Sequence, residues 1–282
     1  MKWDPKDRRY EDENGHPLTQ SEVRKRIEEY IEHGQREVDR QANKLFIGAL
    51  SLSAFFELLR HKITSWHSVA GLAAYGEPDN KQWSRINQKI LSELDFLNRF
   101  EAEAQASFFA AETIASQVVT SLGNKIPAGL ESLVEERVAQ ALLKAAPSEA
   151  AVVARSVVAE TLADSVAEAS VIAQSVEVAG AEPLIGATIP SRAGMYVDST
   201  YGTFENSVRD RESDAGAVGV RRVSENDGNV CEDCEAWASD EYVPLSEIQD
   251  IGSGQCGSRD RCTFEFSYEG VEPLTIDRRL TG

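Results

Sequence analysis

The feature that most limits what this chain can become is the spacing of its apolar residues. Val23, Ile27, Ile31, Val38, Leu45 and Leu52 follow one another at intervals of four or seven, while Arg24, Lys25, Glu28 and Glu29 fall off that line. Only a helix of 3.6 residues per turn gathers such positions on one face. Just ahead, "TQSE" supplies a capping box in which the Thr19 hydroxyl accepts the Glu22 amide and the Glu22 carboxylate reaches back, so a helix is expected to start there. Gly34 is a candidate break or kink. A second helix over about 83–119 is expected after "GEPDN", with Ile86, Ile90, Leu94 and Leu97 on one face. Its stop is expected at "LGNKIPAG", where Gly123, Pro127 and Gly129 cluster.

From 130 to 179 the chain is dominated by Ala, Val, Ser and Glu. Ala has the best helix propensity, so two helices split at Pro147-Ser148 are expected. Val158, Leu162 and Val166 form a narrow apolar seam. It serves either the inside of a helical hairpin or, as an interaction surface, oligomerisation and docking. The most apolar run, "LFIGALSLSAFFELL" at 45–59, is broken by two serines and Glu57 and is shorter than the about 20 residues a spanning helix needs. It reads as a buried core helix, and no membrane partner is expected. The opening "MKWDPKDRRYEDENGHP" is charged and lacks an apolar core segment, so cytosolic synthesis and residence are expected rather than secretion.

Lys and Arg number 29 against 47 Asp and Glu, a formal charge of −18, which opposes a diffuse grip on phosphate backbones. Sparse aromatic residues, at 7%, with a middle rich in Ala, Val and Ser, suit packed helices better than a β-sandwich. After Gly180 the pattern changes: "GAVGVRRVSENDG" and "CTFEFSY" alternate like strands, the first ending in an Asp-Gly turn. The expected fold class is mostly α, an elongated helical bundle with a small cysteine-rich α+β C-terminal module. Its expected parts are a flexible polar arm at 1–18 that orders only against a partner, a helical domain at 19–125, an Ala-rich hairpin at 126–182, a four-cysteine module at 183–270 and a tail at 271–282.

All four cysteines, Cys231, Cys234, Cys256 and Cys262, lie in that module. The first two form a C-x-x-C, a spacing that sets two sulfurs on one tetrahedral ion, and the second pair is more widely spaced within a Gly-rich loop. Structural zinc held by all four is the leading reading, with Arg221, Arg222, Arg259 and Arg261 near enough in sequence to offset the thiolate charge. Disulfides remain open, as does a redox pair at Cys231 and Cys234. His16, His33, His61 and His67 lie far upstream and do not extend the cluster locally. Arg259 and Arg261, interleaved with Phe264 and Phe266, form a candidate nucleic-acid clamp beside Tyr268, Arg278 and Arg279. There is no P-loop, His-Glu-x-x-His or nucleophile elbow, so a non-enzymatic role is expected, with a metal-dependent enzyme as a competing class.

Several of these segments resemble the minor head, or head-morphogenesis, proteins of tailed bacteriophages. Arg192, Ala193 and Tyr196 match an Arg-Ala-x-x-Tyr element, Cys231 and Cys234 the C-x-x-C, and Pro244, Leu245, Ile251 and Gly252 the Leu-Pro or Leu-x-x-Ile run with Gly that follows. Leu94 to Phe100 is similar to the family's helical "Y-x-F-L-x-x-F" core. The chain departs at Arg259-Asp260-Arg261-Cys262, where the family pattern closes with an Asn-Cys-x-Cys knot, so one cysteine of that knot is missing. The resemblance covers about half of the chain and leaves 130–179 as an insertion. It implies a virion component made in the host cytoplasm, present in several copies or as a homo-oligomer, placed near the portal or capsid protein during head assembly, with possible contact to packaged DNA.

Overall fold

The structure is a computed structural model that describes residues 1–4, 6–224, 232–238, 241–253, 260 and 262–268. Three short strands, β1 (Lys2–Asp4), β2 (Arg9–Glu11) and β3 (Pro17–Leu18), precede α1 (Gln20–Phe46), α2 (Leu52–Tyr75), α3 (Asn80–Leu122), α4 (Glu131–Leu142), α5 (Ala150–Leu162), α6 (Ala169–Gln174) and α7 (Ile189–Asp214). β4 (Gly219–Val223), α8 (Glu232–Trp237), β5 (Val243–Pro244) and β6 (Thr263–Ser267) follow. The chain is mostly α, as its periodicity requires.

The helix starts follow from local chemistry. Thr19 and Glu22 form the expected capping box: the Glu22 amide donates to Thr19 Oγ1 (3.2 Å) and the Thr19 amide to Glu22 Oε2 (2.8 Å). Asp79 and Gln82 repeat the device ahead of α3. α1 runs through Gly34 unbroken. A Cβ there would stand 2.5 Å from Val197 of α7, so the glycine permits close helix packing rather than a kink. The run 45–59 is not one helix. Gly48 at φ +70° ends α1 in a Schellman turn, with the Ala49 amide on the Lys44 carbonyl and the Gly48 amide on the Leu45 carbonyl, and Ser51 Oγ caps α2 through the Ala54 amide.

Two compact units are drawn from these elements. One comprises Glu37–Arg60 and Leu94–Ala193. Its core interleaves Ala111, Ala115 and Val118 of α3 with Val134, Val138 and Leu142 of α4 and Ala154, Val158 and Leu162 of α5, all fully buried. The corner after α4 packs so closely that a Cβ on Gly186 would collide with the Leu143 carbonyl oxygen.

The other unit comprises Met1–Arg36, His61–Glu93 and the described residues of Gly194–Gly282. One expectation is corrected here. Residues 1–18 need no partner to order: β1, β2 and β3 form an antiparallel meander, Tyr10 packs on Phe204, and buried Arg211 stacks 3.4 Å from the Trp3 ring while donating to Tyr10 Oη at 2.9 Å. The small α+β module expected at the C-terminal end is present. β4, β5 and β6 make an antiparallel sheet in the order β5-β4-β6, and it belongs to the same compact unit as the N-terminal meander and the start of α1.

Candidate metal centre

The site is assembled on β4. Strand alternation sends Arg221 to one face, where it pairs with Glu265 directly across on β6 (2.6 Å), and sends Arg222 to the other, where it is fully buried. A buried guanidinium must find anionic partners. Arg222 finds Asp260, which is 2% exposed, in a direct ion pair, and its Nη2 also approaches Cys234 Sγ at 3.6 Å. Trp237 covers it from α8, with the ring centroid 5.0 Å from the guanidinium carbon.

Asp260 is held from several sides. Its Oδ2 accepts the Gly252 amide (2.9 Å) and its Oδ1 the Cys262 amide (3.0 Å), while Cys234 Sγ lies 3.7 Å from Oδ1. Gly252, at φ +90°, is presented by a loop that α7 grips: Asn206 donates to the Ile251 carbonyl and accepts the Ile251 amide, at 3.1 and 3.0 Å. Gly202 makes that approach possible, because a Cβ there would press on the Ile251 carbonyl oxygen at 3.0 Å.

Ligand atoms of Cys234, Asp260 and Cys262 thus lie within 4.8 Å of one another, all three residues buried. Tetrahedral zinc with sulfur ligands at about 2.3 Å asks for sulfurs about 3.8 Å apart, so a contraction of at most about 1 Å would close them on an ion. The donor set fits a thiophilic divalent metal. Two thiolates and one carboxylate would exceed the ion's charge by one, and Arg222 supplies the missing positive charge. Burial pushes the Cys262 thiol above its ordinary range, so metal binding there must displace a proton. Burial also works against the Asp260 carboxylate, but the Gly252 and Cys262 amides and Arg222 outweigh it and hold the carboxyl below its usual range.

Of the residues expected from sequence, Cys234 and Cys262 come together here, both buried, whereas Cys231 and Cys256 lie outside the described residues. Asp260 was missed as a site residue. Its only sequence signal was its place inside the departing Arg259-Asp260-Arg261-Cys262 stretch. The clamp expectation is corrected in part: Phe264 is 5% exposed, at 5.8 Å under the Arg209 guanidinium, and has no free face on which a base could stack. Phe266 is half-buried, Tyr268 bonds Glu212, and Arg259, Arg261, Arg278 and Arg279 lie outside the described residues. The seam on α5 is also corrected. Val158 and Leu162 are fully buried in the core and Val166 packs against it, so they hold the unit together and offer no docking face.

Among the other buried ionisable groups, His67 and Glu205 have strongly displaced titrations. His67 Nδ1 lies 2.7 Å from Thr203 Oγ1, and burial pushes the imidazole down to about 3, so it is neutral near neutral pH. Burial raises the Glu205 carboxyl to about 7, against the pull of Arg24, a Phe264 backbone hydrogen bond, Tyr201 and Arg211.

Comparison of the chain with protein-family models, with curated proteins and with solved structures finds no match.

Proposed function

We propose that the protein is a non-enzymatic structural component of a tailed-phage head, stiffened by a structural metal centre and acting in head assembly near the portal. The observation that carries the structural reading is the burial of every group in the centre: Cys234, Asp260, Cys262 and Arg222 are each less than 5% exposed. A centre so enclosed presents no face to a substrate, whereas it ties α8, β4, β6 and the 243–253 loop together at the point where the sheet meets α7. In this reading the ion is zinc, and Cys231 and Cys256 are the remaining sequence candidates for its coordination.

The place in the virion rests on the family resemblance. Two of its elements fall where the architecture depends on them. Ala193 and Tyr196 are buried on α7, and Ile251-Gly252 is the loop that holds Asp260. Contact with portal or capsid protein is the partner reading. The formal charge of −18 favours protein over packaged DNA.

The test is the composition of gradient-purified particles from the phage that encodes the chain, by quantitative mass spectrometry, with zinc measured on the purified protein. A few copies per particle and about one zinc per chain support the reading. Absence from both particles and assembly intermediates overturns the virion role, and a chain without metal and with all thiols free overturns the centre.

A further inference from the structure

The unit built on Glu37–Arg60 and Leu94–Ala193 carries a groove of about 660 Å³ between the α1–α2 elbow, α3 and α4. Phe46, Leu52, Phe108 and Leu143 supply an apolar floor, and the last three are only half-buried, so the groove keeps hydrocarbon in contact with water. Ile47 on the neighbouring turn is 66% exposed. The Schellman turn at Gly48 creates this surface, because it swings α2 away from the axis of α1 where a continuous helix would leave no cleft.

The charged residues that line the groove are all acidic. Glu112 of α3 and Glu135 and Glu136 of α4 line it, and among the described residues no lysine, arginine or histidine does. One cation approaches the floor, the Lys144 ammonium lying 6.0 Å from the Phe46 ring centroid. Carboxylates beside an apolar channel select a ligand with aliphatic side chains flanked by positive charge. A second copy of the chain is a poor occupant, since two molecules of charge −18 repel.

We infer that this groove is a docking site for a basic amphipathic helix of a partner protein, whose aliphatic side chains enter the floor while its lysines or arginines meet Glu112, Glu135 and Glu136. This moves the docking surface from the buried α5 seam to the outer side of α4. It deepens the assembly reading by naming the surface and the partner's chemistry. A failed groove test leaves the particle-composition test standing, and the reverse also holds.

The experiment is fluorescence anisotropy on the full chain, using a labelled helical peptide with leucines at i, i+3, i+4 and i+7 and lysines elsewhere, beside a version with glutamates in place of the lysines. The lysine peptide is expected to bind and the glutamate peptide not to. Replacing Glu112, Glu135 and Glu136 together by Lys should weaken binding at least about tenfold, which corresponds to 1.4 kcal/mol, with an unchanged circular-dichroism melt. Glu→Gln at the same three positions repeats the test should charge reversal disturb folding. Glu28→Lys, Glu29→Lys and Asp39→Lys together serve as the control and should leave affinity within about twofold. Leu52→Ala should weaken binding while keeping the fold. The inference is overturned by absence of binding, by equal binding of the two peptides, by equal losses in the groove and control variants, or by indifference to Leu52→Ala.

Discussion

Arg222→Met tests the physics of the candidate metal centre most directly. Methionine keeps much of the length of the arginine stem, so the main change is loss of charge rather than of volume. It leaves the Asp260 carboxylate 2% exposed, with the Gly252 and Cys262 amides but no guanidinium. Removing one partner of a buried ion pair costs about 3–5 kcal/mol, a large share of the about 5–15 kcal/mol that stabilises a typical domain. With a urea slope of about 2 kcal/mol/M, the unfolding midpoint should fall by about 2 M.

The assay reads the correct half of the molecule. Trp3, Trp66, Trp83 and Trp237 all belong to the unit that holds the centre, and Trp237 stacks on Arg222 itself. Tryptophan fluorescence with a chelator present therefore isolates the ion pair from metal binding. The pH dependence supplies a sign. In the parent the Asp260 carboxyl sits below its ordinary value, so its contribution is present above about pH 4 and is lost as pH falls through the lowered value. In Arg222→Met burial is less opposed, the carboxyl titrates higher, and the deficit should shrink between pH 7 and pH 4. Asp260→Asn in the same chain should recover much of the loss. A midpoint within about 0.3 M of the parent at pH 7, or a deficit that does not shrink on acidification, would refute the reasoning.

Cys234→Ser and Cys262→Ser should each lower bound zinc below about 0.2 per chain, because a hydroxyl replaces a thiolate ligand, read by mass spectrometry of the native protein; full retention in both would remove these sulfurs from the centre. Glu205→Gln should stabilise the protein at pH 8 by up to about 3 kcal/mol and do little at pH 5. The sign follows because a carboxyl raised to about 7 costs stability as pH rises from its unfolded value through 7, and paired thermal melts at the two pH values decide it. Val158→Asp places an unpaired charge at a fully buried position and should unfold its unit at a cost of several kcal/mol. Far-UV circular dichroism that stays native would return Val158 to the surface.

Much of the fold could be read from residue order because helices are local. The four- and seven-residue spacing of Val23, Ile27, Ile31, Val38 and Leu45 made α1, and every one of these side chains is buried. The Thr19 and Glu22 cap and the strand character of Gly219–Val223 and Thr263–Ser267 could be seen within short windows. Each depends on groups a few residues apart or on a period that repeats along one element.

Tertiary structure alone decided the rest. A seam of small apolar residues has the same spacing whether it faces water or another helix, and only the packing of α3 and α4 on α5 put Val158 and Leu162 inside. The polar opening of the chain lacked a core of its own, but Arg211, 201 residues away from Tyr10, and Phe204 gave it one. Asp260 became a site residue because Arg222, fixed by strand alternation, needed a buried anion, and because Asn206 on α7 held the Ile251-Gly252 loop where its amide could meet the carboxylate. Sequence determined where the long amphipathic helices and the β4 and β6 strands would form. The three-dimensional meeting of distant segments determined which charges are buried, because the free energy of a buried charge depends on partners that no local window contains.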